Sequence, residues 1–196
     1  MILGLTGLIG SGKTAIAKFF SERGFIVIDA DKAGHEILEN DEFVKIEAIN
    51  EFGEDILDEL GNIDRQKLGD IVFSNASMLE KLNNLVHPLI INGIKSSIKN
   101  YKRNNKNNIL VEAPLLIETD AKNLVEKIIV IKTSKENIIK RLSDRYSKEK
   151  IENIMKSQMP IEEKLKYADF VIDNNGSVGD ARRQAEGIIK KLSMAK

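Results

Sequence analysis

Gly7-Leu8-Ile9-Gly10-Ser11-Gly12-Lys13-Thr14 follows the spacing G-x-x-x-x-G-K-[ST]. Glycines let the backbone turn tightly enough for its N–H groups to converge on phosphate oxygens. The helix-like segment that follows, Ala15 to Arg23, adds the positive end of its dipole. In such a loop Leu8, Ile9, Gly10, Ser11 and Gly12 wrap the phosphates of a nucleotide, Lys13 bridges the β- and γ-phosphates, and Thr14 offers a hydroxyl to Mg²⁺. Such a loop indicates a nucleotide bound with magnesium and leaves the reaction open. Asp29-Ala30-Asp31 follows shortly after. A carboxylate there accepts a proton from an attacking hydroxyl or holds Mg²⁺ through water, and the bland alternative is a pair of helix-capping acids. Arg141 and Arg145 are one helical turn apart and share a face, as arginines that stabilise a transferred phosphoryl group need, although two surface arginines would be spaced the same way.

These residues need elements to position them. Ile2–Leu5, Phe25–Ile28, Ile109–Val111, Ile128–Ile131 and Phe170–Ile172 have the length and β-branched content of buried strands. Their near-continuous hydrophobicity predicts a five-stranded parallel sheet flanked by helices, an α/β three-layer fold. Ligands then lie beyond the carboxyl ends of the strands, where the glycine loop and Asp29-Ala30-Asp31 also fall. Residues 31–108 between the second and third strands read as a mainly helical insertion. Phe43 to Phe52, Leu68 to Val72, and Leu79, Leu82, Val86, Leu89, Ile90, Ile94 and Ile98 all show helical spacing. His87-Pro88 predicts a kink or break there, because the residue before proline is pushed out of helical geometry. Residues 141–166 are polar, with a thin apolar stripe at Ile151, Ile154 and Met155, and read as a flap or a surface helix pair.

Composition bounds the rest. The 196 residues are 42% hydrophobic, enough for one sizeable core, and predict a single domain carrying inserted subdomains. Thirty basic residues balance thirty acidic ones, so neither nucleic acid nor an anionic membrane is an expected partner. With no cysteine, disulfides and thiolate chemistry are excluded. No apolar run approaches the ~20 residues that span a bilayer, and a cytoplasmic location is the expectation. Neither His35 nor His87 has a second histidine or acid at zinc spacing. His35, four residues after Asp31, lies over it on one helix face or serves at the surface.

From end to end the sequence resembles the dephospho-CoA kinases, P-loop kinases of small molecules with a nucleoside-monophosphate-kinase-like fold. Gly4-Leu5-Thr6-Gly7 through Thr14 matches their opening, Val27-Ile28-Asp29-Ala30-Asp31 their second strand, and Asp64-Arg65 with Leu68 and Val72-Phe73 a helix start in the acceptor region. Val86-His87-Pro88-Leu89-Ile90 matches their His-Pro motif, and Pro114-Leu115-Leu116 with Glu118 the segment after their third strand. Gln158 with Lys164, Ala168-Asp169 and Val171-Ile172-Asp173-Asn174 matches their closing signature. The resemblance implies a kinase of the ribose 3′-hydroxyl of dephospho-CoA; a monomer or weak homo-oligomer is the expectation for its assembly. It implies that Asp31 is the catalytic base and that Arg141 reaches the ATP phosphates from a lid over 141–166. His35, Arg65, His87, Pro88, Pro114, Leu115 and Leu116 line the acceptor side, and Asn174, Asn175 and Gly176 lie near adenine. Three positions depart from the pattern: Leu8 stands where a third glycine is usual, Glu112-Ala113 where apolar residues are commoner, and Tyr146 where an acid is usual. A shikimate-kinase-like enzyme and a P-loop nucleotide switch remain as alternatives. The first lacks its Gly-Gly-Gly turn at the third strand, and the second would turn over ATP without an acceptor.

Overall fold

The computed structural model describes residues 1–194. All five apolar runs are strands: β1 (Ile2–Gly7), β2 (Ile26–Asp29), β3 (Ile109–Glu112), β4 (Lys127–Lys132) and β5 (Phe170–Asp173). They form one parallel sheet in the order β2-β3-β1-β4-β5. β1 is the central strand, buried along its whole length. Its neighbours on either side come from later in the chain, which makes the carboxyl end of β1 the switch point where α/β sheets bind ligands.

The chain divides into two compact units, Met1–Asp29 with the residues from Ser97 onward, and Ala30–Ser96. The first holds the sheet with helices α1 (Lys13–Ser21), α6 (Lys135–Leu142), α7 (Lys148–Lys156), α8 (Ile161–Leu165) and α9 (Val178–Met194). Its main core joins Leu3, Leu5, Ile129 and Ile131 of the sheet to Ile16 and Phe20 of α1 and to Ala185 and Ile188 of α9. Phe20 meets Phe25 edge-on at 5.2 Å between ring centres, fixing the turn from α1 into β2. A smaller apolar cluster joins Leu8, Ile138, Leu142 and Ile151, with Ile9, Met155 and Ile161 against it.

The second unit carries α2 (Ala30–Asn40), α3 (Glu42–Phe52), α4 (Arg65–Ser74) and most of α5 (Ala76–Arg103). Asp41 caps α3 by accepting from the Val44 amide, and Asp64 caps α4 by accepting from those of Gln66 and Lys67. Leu38, Val44, Ile56, Leu68, Val72 and Val86 form its core. Of the kink or break expected at His87-Pro88, the break does not occur, since α5 runs unbroken for 28 residues with Pro88 inside it. An interior proline costs a helix about 3 kcal/mol. Burying Val86, Ile94 and Ile98, each worth about 1.5–3 kcal/mol, outweighs that cost.

Candidate active site

The glycine loop connects β1 to α1. Gly10 (φ 68°) and Gly12 (φ 95°) hold left-handed conformations that a side chain would strain. A Cβ on Gly12 would also collide with the Asn174 side-chain amide. Gly12 caps α1 without any side-chain hydrogen bond, which leaves this helix start without a capping side chain over its first amides. Lys13 Nζ donates to the carbonyls of Gly7 and Leu8, both at 3.1 Å, and is only 8% exposed. The ammonium is thus held over the loop.

Other side chains pin the loop from outside. The Ser11 carbonyl accepts from Asn174 Nδ2 at 2.7 Å and from Thr133 Oγ1 at 3.1 Å, and the Ile9 amide donates to Gln158 Oε1 at 2.9 Å. Arg141, on the last turn of α6, donates to the carbonyls of Asn174 (2.7 Å), Gly10 (3.3 Å) and Ser11 (3.4 Å). Arg145 is exposed beyond the end of that helix. Asn175 is exposed and accepts from the Ser134 amide at 2.7 Å and from Asn137, which fixes the start of α6, and Gly176 begins the turn into α9. Leu8, standing where glycine would be usual, fills the cluster with Ile138, Leu142 and Ile151, so the loop and the helices of the 141–166 region share one apolar contact.

Sequence reasoning marked the carboxylate at the end of β3 only as a departure from the family pattern and gave it no role. Glu112 is 5% exposed, and Thr14 Oγ1 donates to its Oε1 at 3.0 Å. Parallel pairing places Glu112 level with Leu5 of β1 and Asp29 of β2. A lone acid ending an otherwise apolar strand beside β1 was the available signal.

Beyond β3, the Pro114 carbonyl accepts from Thr6 Oγ1 at 3.0 Å and from Lys164 Nζ at 2.8 Å. Lys164 is fully buried and pairs with Glu118 Oε1 at 2.6 Å, which also accepts from the Met159 amide. Burial pushes the Lys164 ammonium below its ordinary pKa, against the pull of Glu118. Pro114 and Leu115 are half-buried, while Leu116 is fully buried and touches the space a Cβ on Gly4 would fill.

In the second unit, Asp31 is exposed on the first turn of α2, with His35 one turn further on. Arg65, the first residue of α4, places Nη2 at 2.7 Å from His35 Nε2. The guanidinium only donates, so Nε2 accepts and the imidazole proton sits on Nδ1. Gly34 lets α5 approach α2 closely, since a Cβ there would lie 3.0 Å from Ile90 Cδ1. His87, one turn before Ile90, is half-buried, and Pro88 is exposed.

The chain as a whole has known relatives. The family described as dephospho-CoA kinase matches residues 1–180. A dephospho-CoA kinase of Fusobacterium nucleatum is 43% identical over 188 residues, covering 95% of each chain. Among solved structures, a dephospho-CoA kinase from Campylobacter jejuni is 35% identical with a TM-score of 0.64, covering 97% of this chain and 96% of that one. A Thermus thermophilus protein superposes with a TM-score of 0.77 at 29% identity, over 98% of this chain and 97% of its own.

Proposed function

The chain belongs to the dephospho-CoA kinase family, and from that premise we propose how its residues divide the work. It is an ATP-dependent kinase that transfers the γ-phosphate of ATP to the ribose 3′-hydroxyl of dephospho-CoA, giving CoA and ADP in the last step of coenzyme A biosynthesis. The uncapped start of α1, with Lys13 held over the same loop, carries the assignment of the donor phosphates to Gly10–Thr14. Lys13 meets the β- and γ-phosphates as a point charge, and Asn174, Thr133 and Gln158 keep the loop in shape without touching the nucleotide phosphates.

Asp31 is the base. The 3′-oxygen bonds to the γ-phosphorus, its proton passes to the Asp31 carboxylate, and the bond to the β–γ bridging oxygen breaks as ADP leaves. His35 and Arg65, joined to each other, give the acceptor side a fixed cation for the anionic pyrophosphate of dephospho-CoA, with His87, Pro88, Pro114 and Leu115 as further acceptor contacts. The helical stretch 31–108 serves acceptor binding, and 141–166 serves as lid. Arg141 is its phosphate-sensing side chain, while Asn174, Asn175 and Gly176 border the adenine.

Magnesium fits the donor set, because Thr14 supplies a hard hydroxyl oxygen beside two carboxylates. When bound, the ion neutralises charge on the β- and γ-phosphates. No described helix is long and apolar enough to cross a membrane, and a cytoplasmic site of action suits an enzyme that draws on ATP.

A coupled assay of ADP release with dephospho-CoA, with shikimate and with no acceptor tests the reading. Release that requires dephospho-CoA and matches the CoA formed is expected. Equal release without acceptor would instead show a nucleotide switch.

A further inference from the structure

We propose that Gln158 is a positioning residue for the transfer step, one that keeps the donor phosphate loop in register with the segment after β3 on the acceptor side. This rests on the reading that the loop takes the donor phosphates and that Pro114 and Leu115 contact the acceptor. The geometry is that of two consecutive residues bonded in two directions. Gln158 Oε1 accepts from the Ile9 amide of the loop at 2.9 Å, and the Met159 amide donates to Glu118 Oε1 at 3.0 Å. A single stiff peptide unit separates the two anchors, so a displacement of the loop or of the segment after β3 is passed on to the other.

Each end of this link is itself held. Glu118 Oε1 also accepts from Lys164 Nζ at 2.6 Å, and Lys164, which has no exposed surface, donates to the Pro114 carbonyl at 2.8 Å. Hydrogen bonds of this charged kind are roughly twice as strong as neutral ones. The Pro114 carbonyl accepts a second bond, at 3.0 Å, from Thr6 Oγ1 on the strand that leads into the loop. Leu116 and Ile117 are buried between Pro114 and Glu118, which leaves that segment little freedom. The chain from Met159 to Lys164 is constrained as well, because the ring of Pro160 fixes its φ and its carbonyl accepts from the Lys164 amide at 3.0 Å as α8 begins. The bonds thus form a circuit from Thr6 through Pro114, Lys164, Glu118 and Gln158 to Ile9, closed around the start of the phosphate loop. The side chain chosen fits a place beside phosphates. A carboxylate would accept from the Ile9 amide more strongly, so a bond that served stability alone would gain nothing from being neutral. Next to a polyanion, the neutral amide accepts without adding repulsion.

Gln158→Met keeps the length of the side chain and removes the acceptor. Asn174 and Thr133 still hold the Ser11 carbonyl, so the grip of the loop on the donor persists. The melting temperature should be unchanged, and the calorimetric affinity for the β,γ-imido analogue of ATP should stay within about threefold of wild type. What is lost is the placement of the γ-phosphate against the acceptor hydroxyl, so kcat for CoA formation should fall by about tenfold or more. Attack by water does not need that placement, and the ADP released per CoA formed should therefore rise well above the wild-type ratio. A change that only loosened the fold would lower the melting temperature and leave this ratio alone. Gln158→Glu still accepts from the Ile9 amide and should recover the ratio, while its charge weakens binding of the analogue. An unchanged ratio in Gln158→Met, or equal uncoupling in both variants, overturns the proposal and leaves the kinase reading standing. Wild-type ADP release that does not require dephospho-CoA overturns the kinase reading itself, and this inference with it.

Discussion

Asn174 Nδ2 lies 2.7 Å from the carbonyl oxygen of Ser11, which ties the turn after β5 to the middle of the phosphate loop across 163 residues of chain. The same amide occupies the space a side chain at Gly12 would need. Asn174 is buried, so the bond is shielded from water, and its loss leaves the Ser11 carbonyl with Thr133 as its remaining short contact. Asn174→Ala should weaken binding of the ATP analogue about tenfold, the ~1.4 kcal/mol expected when one partner of a buried hydrogen bond is deleted. Asn175→Ala, one residue on but exposed, should lower the stability of α6 and leave the affinity within about threefold of wild type, since a capping contact is worth about 1 kcal/mol to the helix alone. Calorimetry and thermal melts on the two variants separate these effects. Equal affinities for the two would show that the buried bond does not shape the loop.

Arg141 spans three carbonyls of the loop and of Asn174, a reach that depends on the flat guanidinium fork. On the proposed assignment of the donor phosphates to that loop, removal of Arg141 should act on the closed, reacting state. Arg141→Ala is expected to lower kcat about 10²-fold while the KM for ATP rises much less, in line with the loss of one preorganised transition-state donor. Arg141→Lys should recover little. A KM effect alone, with kcat intact, would mean the arginine binds ground-state ATP only.

The sheet was legible from the sequence because five short apolar runs admit few arrangements, and the glycine loop was legible because its spacing has one chemistry. The long helix through Pro88 was legible in part: the stripe from Leu79 to Ile98 has helical spacing, but the residue before proline argues for a kink or break, and its continuity rests on the packing of Val86, Ile94 and Ile98. Glu112 was noticed merely as an odd residue in an apolar position. Its meaning depends on Thr14, which is 98 residues away in the chain and adjacent only once β3 lies beside β1. Gln158 and Lys164 were likewise visible as a signature without a role, because their partners Ile9, Pro114 and Glu118 are supplied by folding.

For Asp31 the mechanism makes a kinetic claim. Asp31→Asn keeps size and shape and removes the proton acceptor, so kcat should fall by about 10² to 10⁴ with ATP affinity nearly unchanged. Asp29→Asn is the comparison. Its place level with Glu112 ties it to the metal side, so its loss should be partly offset by raising Mg²⁺, whereas the loss at Asp31 should not. Metal rescue at Asp31 and none at Asp29 would reverse the two roles.

The buried pair of Lys164 and Glu118 gives a prediction in pH as well as in stability. Lys164 has no exposed surface, and with Glu118 and the Pro114 carbonyl as acceptors its charge is compensated inside the protein. Removing one member strands the other, so Glu118→Leu should destabilise the enzyme by about 3–5 kcal/mol at neutral pH, and the double variant Lys164→Met/Glu118→Leu should win much of that back. Burial lowers the folded-state pKa of Lys164 below the value it takes in the unfolded chain, about 10.4. Between those two values the unfolded chain binds more protons than the native one, so this group's contribution to stability increases with pH across that window and is least favourable below it. In Glu118→Leu the carboxylate that opposed the shift is gone, the window widens downward, and the penalty should shrink as the pH is raised toward 10. Urea melts of wild type, both single variants and the double variant, at pH 7 and pH 9.5, measure this directly. A Glu118→Leu penalty that is the same at both pH values would mean that Lys164 stays protonated throughout and that the pair is held by geometry rather than by charge.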